Sequence, residues 1–151
     1  MDDAGVTHKD HESMAAMATS YFASLFAADK SLCVDPVIDL INTRVTNDMN
    51  VQLCAEFSDK EIADALFHIG PLKAPGPDGF PARFFQRNWA VMRKNVISGV
   101  KEFFRTGVMP DGVNNTSIVL IPKVENPEVI TQFRPISLCN MVYKVISKLL
   151  A

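Results

Sequence analysis

Three residue classes are scarce in this chain, and each scarcity removes a set of functions. Cysteine occurs three times, as Cys33, Cys54 and Cys139. An odd number at wide spacing gives neither a disulfide framework nor a CxxC zinc half-site, so the thiols read as reduced, small apolar residues. No apolar run approaches the roughly 20 residues that span a bilayer, and Asp2, Asp3, His8 and Lys9 do not open a signal peptide. The expected setting is intracellular, cytoplasmic or nuclear, with no membrane partner. Histidine also occurs three times. His8 and His11, with Asp10 and Glu12, have no further ligands at zinc spacing and read as a frayed terminus. His68 falls among apolar neighbours near a predicted helix end, where packing or the helix dipole accounts for it. No nucleophile, base and orienter set can be assembled, so no catalytic and no metal-binding residues are predicted.

What is present suits an ordinary folded domain. The chain has 151 residues, 48% of them hydrophobic and 21% charged, enough for a core. Its net charge of −2 conceals a polarity. Residues 1–72 hold four Lys/Arg against twelve Asp/Glu, and residues 73–151 hold eleven against five. An acidic front therefore precedes a basic second half able to face a polyanion.

Residues 1–57 read as an N-terminal helix and linker region. Met14, Met17, Ala18, Tyr21, Phe22, Leu25 and Phe26 recur at spacings of three and four, which predicts one helix over 12–28 with an apolar stripe. Such a stripe serves packing, as scaffold or as an interface with upstream sequence. Residues 29–57 read as a connector with short ordered pieces. Ser58-Asp59-Lys60-Glu61 has capping-box spacing and predicts a helix start. Ile62, Ala65, Leu66 and Ile69 supply its buried side, and Gly70 with Pro71 supply the stop, glycine tolerating a left-handed residue.

The next segment, KAPGPDGF at 73–80, is a rigid turn by its backbone chemistry: Pro75 and Pro77 fix φ, the glycines permit positive φ, and Asp78 can bond its following backbone. It is no phosphate loop, because the GxxxxGK[ST] spacing is absent and the prolines remove N–H donors. From Pro81 to Arg105 the pattern is two-sided. On a wheel of about 100° per residue, Arg83, Arg87, Lys94, Lys101 and Arg105 share one edge within about 40°. Phe85, Trp89, Met92, Val96, Val100 and Phe103 fall opposite. A continuous helix makes this a basic stripe of about 30 Å, and a break near Asn88 splits it into two patches. Gly107 and Pro110 end the helix. SIVLIP at 117–122 reads as a strand, and after a polar loop residues 132–138 return as a second extended segment, forming a finger. Residues 140–151 form a last helix, apolar through Met141, Val142, Val145, Ile146, Leu149 and Leu150.

KAPGPDGF followed at this distance by IVLIPKVENPEVITQFRPISL (118–138), and then by Tyr143-Lys144 in the terminal helix, resembles the fingers half of the reverse transcriptase of non-LTR, LINE-type retrotransposons, plant-like in character. The resemblance spans roughly residues 12–151 and is dense from Phe57 on. It implies an α+β, mainly helical fingers subdomain of a right-hand polymerase, over 58–151, with a small hairpin. It implies that KAPGPDGF closes over template and primer, and that Lys123 and Arg134 meet the incoming deoxynucleoside triphosphate. Lysine brings a point charge and arginine a planar fork for phosphate oxygens. Lys73, Arg83, Arg87, Lys94, Lys101 and Arg105 are then expected to face the RNA template and DNA primer. Thr131-Gln132 departs from the acidic residue common in relatives, a change expected to matter little to the fold. The family reaction uses two Mg²⁺ ions on palm aspartates, carried in part by a Tyr-x-Asp-Asp. Neither Tyr21 nor Tyr143 begins such a motif. The expectation is therefore a chain without the palm, inactive alone and needing no cofactor itself, with the surface of 141–150 exposed where a palm would cover it. Alternatives are a non-catalytic nucleic-acid-binding module and a structural remnant that binds nothing specific.

Overall fold

The computed structural model describes residue 7, residues 9–27 and residues 44–151. The expectations for His8, for Cys33 and for most of the 29–57 connector lie outside the described residues. Within them the order is α1 (His11–Leu25), α2 (Asn47–Leu53), α3 (Asp59–Phe67), α4 (Ala82–Arg87), α5 (Trp89–Thr106), β1 (Thr116–Pro122), a 3₁₀ turn (Ile130–Gln132), β2 (Phe133–Cys139) and α6 (Met141–Leu150). The class is α+β and mainly helical, with one two-stranded antiparallel hairpin. Among the described residues no helix is long and apolar enough to cross a membrane.

The chain forms two compact units, residues 1–50 with 120–135 and residues 51–119 with 136–151. In the first, Asp10 caps α1 by accepting the Ser13 N–H at 2.8 Å. Phe22 is buried, with its ring edge-on to Tyr21 and stacked on Phe26. Met14, Met17 and Ala18 line a cavity of about 500 Å³ with Leu120, Pro127, Val129, Ile130 and Phe133. The predicted stripe is thus partly used within its own unit, while Leu25 and Phe26 stay exposed.

The second unit holds the main core: Ile62, Ala65 and Leu66 of α3, Ala82 and Phe85 of α4, Val96 and Val100 of α5, and Met141, Val145 and Ile146 of α6. Each helix contributes the side its spacing marked as apolar, because only that side removes hydrocarbon from water when the four helices pack. The Ser58 capping box forms as its spacing predicts: Ser58 Oγ accepts the Glu61 N–H at 3.2 Å, and Glu61 Oε2 accepts the Ser58 N–H at 2.8 Å.

Three expectations are corrected. α3 ends at Phe67, with His68 as a right-handed cap, and Gly70 is not left-handed. The helix end is satisfied instead by Gln86, whose amide donates to the Leu66 and Ile69 carbonyls at 3.2 and 2.9 Å. The helix over 81–105 is interrupted: Asn88 has φ −100° and ψ 19°, and its side chain donates to the Phe84 carbonyl at 2.8 Å. The same carbonyl also accepts the Asn88 backbone N–H at 3.1 Å, so Asn88 closes the end of α4 with two bonds before α5 begins. Finally, the apolar side of α6 is not exposed. Met141, Val145 and Ile146 are buried against this unit's own helices, leaving Leu150 as the exposed large apolar residue of α6.

Candidate functional site

The segment 73–80 is anchored by the junction of β2 and α6. Gly76, Pro77, Asp78 and Gly79 make a turn closed by Gly79 N–H to the Gly76 carbonyl at 3.0 Å, with Gly79 at φ 75°. Asp78 Oδ1 accepts the Phe80 N–H at 3.0 Å, the local bond its sequence position predicts. Phe80 then packs at a tilt against Phe84, with ring centroids 4.5 Å apart. Gly76 has a different role from Gly79. Its φ is not positive, but a Cβ there would lie 2.3 Å from Asn140 Oδ1, 2.4 Å from Asn140 N and 2.5 Å from the Cys139 carbonyl carbon. Glycine is required at 76 by the close approach of two backbones.

Asn140 is the residue that sequence reasoning missed. It is buried, the one buried polar residue among the described residues. Its Oδ1 accepts the Asp78 N–H at 3.1 Å, and its Nδ2 donates to the Gly112 carbonyl at 2.8 Å. As the N-cap of α6 it makes no side-chain cap bond. The amide is turned outward and joins the 73–80 turn, the turn before β1 and the start of α6. Lys144 adds a second tie, with Nζ donating to the Ala74 carbonyl at 2.6 Å. Asn ahead of an apolar periodic run is a legible cap signal. Nothing in that signal says the amide goes elsewhere.

The hairpin register follows from two bonds: Lys123 N–H to the Gln132 carbonyl at 2.8 Å and Thr116 Oγ1 to Cys139 Sγ at 3.5 Å. Both match residues whose positions sum alike, so Ile121 stands opposite Arg134, and Lys123 shares their side by the two-residue alternation. Arg134 is exposed. Lys123 is exposed too, with Nζ donating to the Thr131 carbonyl at 2.7 Å. The loop between the strands is pinned by Gln132, whose Oε1 accepts the Glu128 and Val129 N–H groups at 2.8 and 3.2 Å. Position 132 therefore acts in the fold through an acceptor oxygen that a carboxylate also possesses. Asn126, at φ 54°, takes the left-handed residue of this loop.

The basic helical positions are all exposed, but the break at Asn88 parts Arg83 and Arg87 on α4 from Lys94, Lys101 and Arg105 on α5. Two of the latter already have anionic partners. Lys101 pairs with Asp59 at 2.5 Å. Arg105 grips Glu102 with Nε and Nη2 at 3.0 and 2.6 Å, which holds the Glu102 carboxyl below the ordinary glutamate value. Lys73 lies exposed in the turn after α3, its N–H bonded to the Gly70 carbonyl at 3.0 Å. Among the described residues neither Cys54 nor Cys139 forms a disulfide. Among the described residues no group of three His, Cys, Asp or Glu could hold a metal ion.

The arrangement defines a mainly helical unit whose 73–80 turn is locked to the end of the returning strand. No protein-family model matches the chain. It is similar to the Transposon TX1 uncharacterized 149 kDa protein of Xenopus laevis, with 27% identity over 146 residues. That match covers 95% of this chain and 11% of the Xenopus protein.

Proposed function

We propose that this chain is part of a LINE-type retroelement reverse transcriptase, supplying fingers-side contacts to nucleic acid and nucleotide. The similarity to a transposon protein along nearly the whole chain supports a retroelement origin. The carrying observation is that the two segments bearing the resemblance, 73–80 and the strand ending at Cys139, meet backbone to backbone at Gly76 and Asn140. In this reading Arg134 and Lys123 receive the triphosphate of a deoxynucleotide, Lys123 exchanging its Thr131 carbonyl for phosphate oxygens. Arg83, Arg87 and Lys94 contact the template–primer backbone, and Lys101 and Arg105 contribute less because their charges are already paired. The Mg²⁺-binding carboxylates of polymerisation come from other sequence.

Binding of a labelled RNA/DNA hybrid across a salt series tests this. Phosphate contacts release counterions, so affinity should fall linearly on a log–log plot. Absence of salt-sensitive binding at low ionic strength refutes the reading and leaves a structural remnant. Arg134→Ala in an enzyme that includes the palm should raise the KM for deoxynucleotide, and an unchanged KM overturns the triphosphate assignment.

A further inference from the structure

We infer that a cleft lined by His68, Lys73, Lys144 and Lys148 is a second binding site for the sugar-phosphate backbone of nucleic acid, deepening the reading above. The cleft, of about 360 Å³, has Ile69 and Gly70 as its remaining lining. Among the described residues no carboxylate lines it. Three other cations are neutralised by carboxylates: Lys60 pairs with Asp64, Lys101 with Asp59 and Arg105 with Glu102. Among the described residues Lys73 and Lys148 have no ion-pair partner. Three ammonium groups gathered without a counter-charge repel one another, and a chain of phosphates relieves that repulsion.

The cleft is built rather than incidental. Lys144 and Lys148 stand one turn apart on α6, so they share an edge of the helix. Lys144 is held in place by its bond to the Ala74 carbonyl, which fixes the cleft beside the 73–80 turn. Complementing helix carbonyl ends accounts for only part of the cluster. His68 caps α3 and Lys148 is in the last turn of α6, but Lys73 lies in a turn and Lys144 lies inside α6. Gln86 already occupies the Leu66 and Ile69 carbonyls, which removes two acceptors that would have answered the positive charge. Phosphodiester oxygens, repeated along a strand, suit several ammonium groups spread along an open cleft.

The test is anisotropy of a fluorescein-labelled RNA/DNA hybrid over a potassium chloride series, with the chain and two neutralised variants. The double variant Lys73→Gln/Lys148→Gln should weaken binding and lower the log–log salt slope by about two. Lys148→Arg, which keeps the charge, should leave the slope unchanged. Among the described residues neither Lys73 nor Lys148 makes a side-chain hydrogen bond or ion pair, so matching thermal melts should accompany these changes. If the double variant binds like the parent while Arg83→Gln/Arg87→Gln loses binding, the cleft is idle and the template–primer reading of the α4 arginines stands. If the cleft variant loses binding and Arg83→Gln/Arg87→Gln does not, the cleft is the site and the template–primer assignment of those arginines fails. Absence of salt-sensitive binding by the parent chain ends both.

Discussion

Replacing Gly76 with alanine should be among the most damaging one-carbon changes in this protein. The added Cβ would lie 2.3 Å from Asn140 Oδ1, 2.4 Å from Asn140 N and 2.5 Å from the Cys139 carbonyl carbon. Carbon prefers neighbours at about 3.5–4.0 Å, so the two segments must part by about 1 Å. A side-chain rotation relieves the first contact only, since the other two atoms are backbone. Parting by that amount takes the Asp78 N–H to Asn140 bond, 3.1 Å in the native fold, beyond hydrogen-bond range. Overpacking costs about 1–3 kcal/mol and the broken bond about 1 kcal/mol, so the loss should be about 2–4 kcal/mol. In a unit of this size that lowers Tm by about 10–20 °C. The assay is urea and thermal unfolding followed by circular dichroism, with Gly99→Ala as control. Gly99 lies within α5, and a Cβ there meets nothing within 4 Å. Alanine should stabilise that site by up to about 1 kcal/mol. A Gly76→Ala protein within about 0.5 kcal/mol of the parent would show that the two backbones do not make this approach.

Asn140→Ala leaves the Asp78 N–H and the Gly112 carbonyl without their partner. It should cost about 2–4 kcal/mol, and Asn140→Asp, which keeps the acceptor but loses the donor, should cost less, both read from urea midpoints. Ser58→Ala removes the cap of α3 and should cost about 1 kcal/mol. Acceptance of the Ser58 backbone N–H, then of its hydroxyl, holds the Glu61 carboxyl below the ordinary glutamate value. A depressed carboxyl contributes stability above its unfolded-state pKa, and that contribution is lost as pH falls through the folded value. Ser58→Ala should therefore flatten stability against pH below the ordinary glutamate value, and an unchanged acid limb would contradict the cap. Gln86→Leu strips the amide from the Leu66 and Ile69 carbonyls and should cost about 1–3 kcal/mol by thermal unfolding, with no gain from its apolar bulk.

The sequence by itself determined the element types and the buried sides, because both follow from short-range periodicity. Ile62, Leu66, Val96, Val100, Met141 and Val145 were marked by spacing alone, and all are buried. The Ser58 cap, the Gly107 stop at φ 70° and the Asp78 turn bond were legible for the same reason: each is a bond between residues close in the chain. The split at Asn88 was visible only as an alternative, since helix phase does not reveal where a residue leaves helical geometry and caps the helix behind it with its side chain. Tertiary structure decided the rest. It chose Gln86 over Gly70 to finish α3 and turned the Asn140 amide away from its own helix to a partner 62 residues earlier. It also gathered Lys73, Lys144 and Lys148 around one cleft. Those choices rest on contacts between segments far apart in sequence, and local spacing carries no record of which distant backbone comes close enough to demand a glycine or an amide.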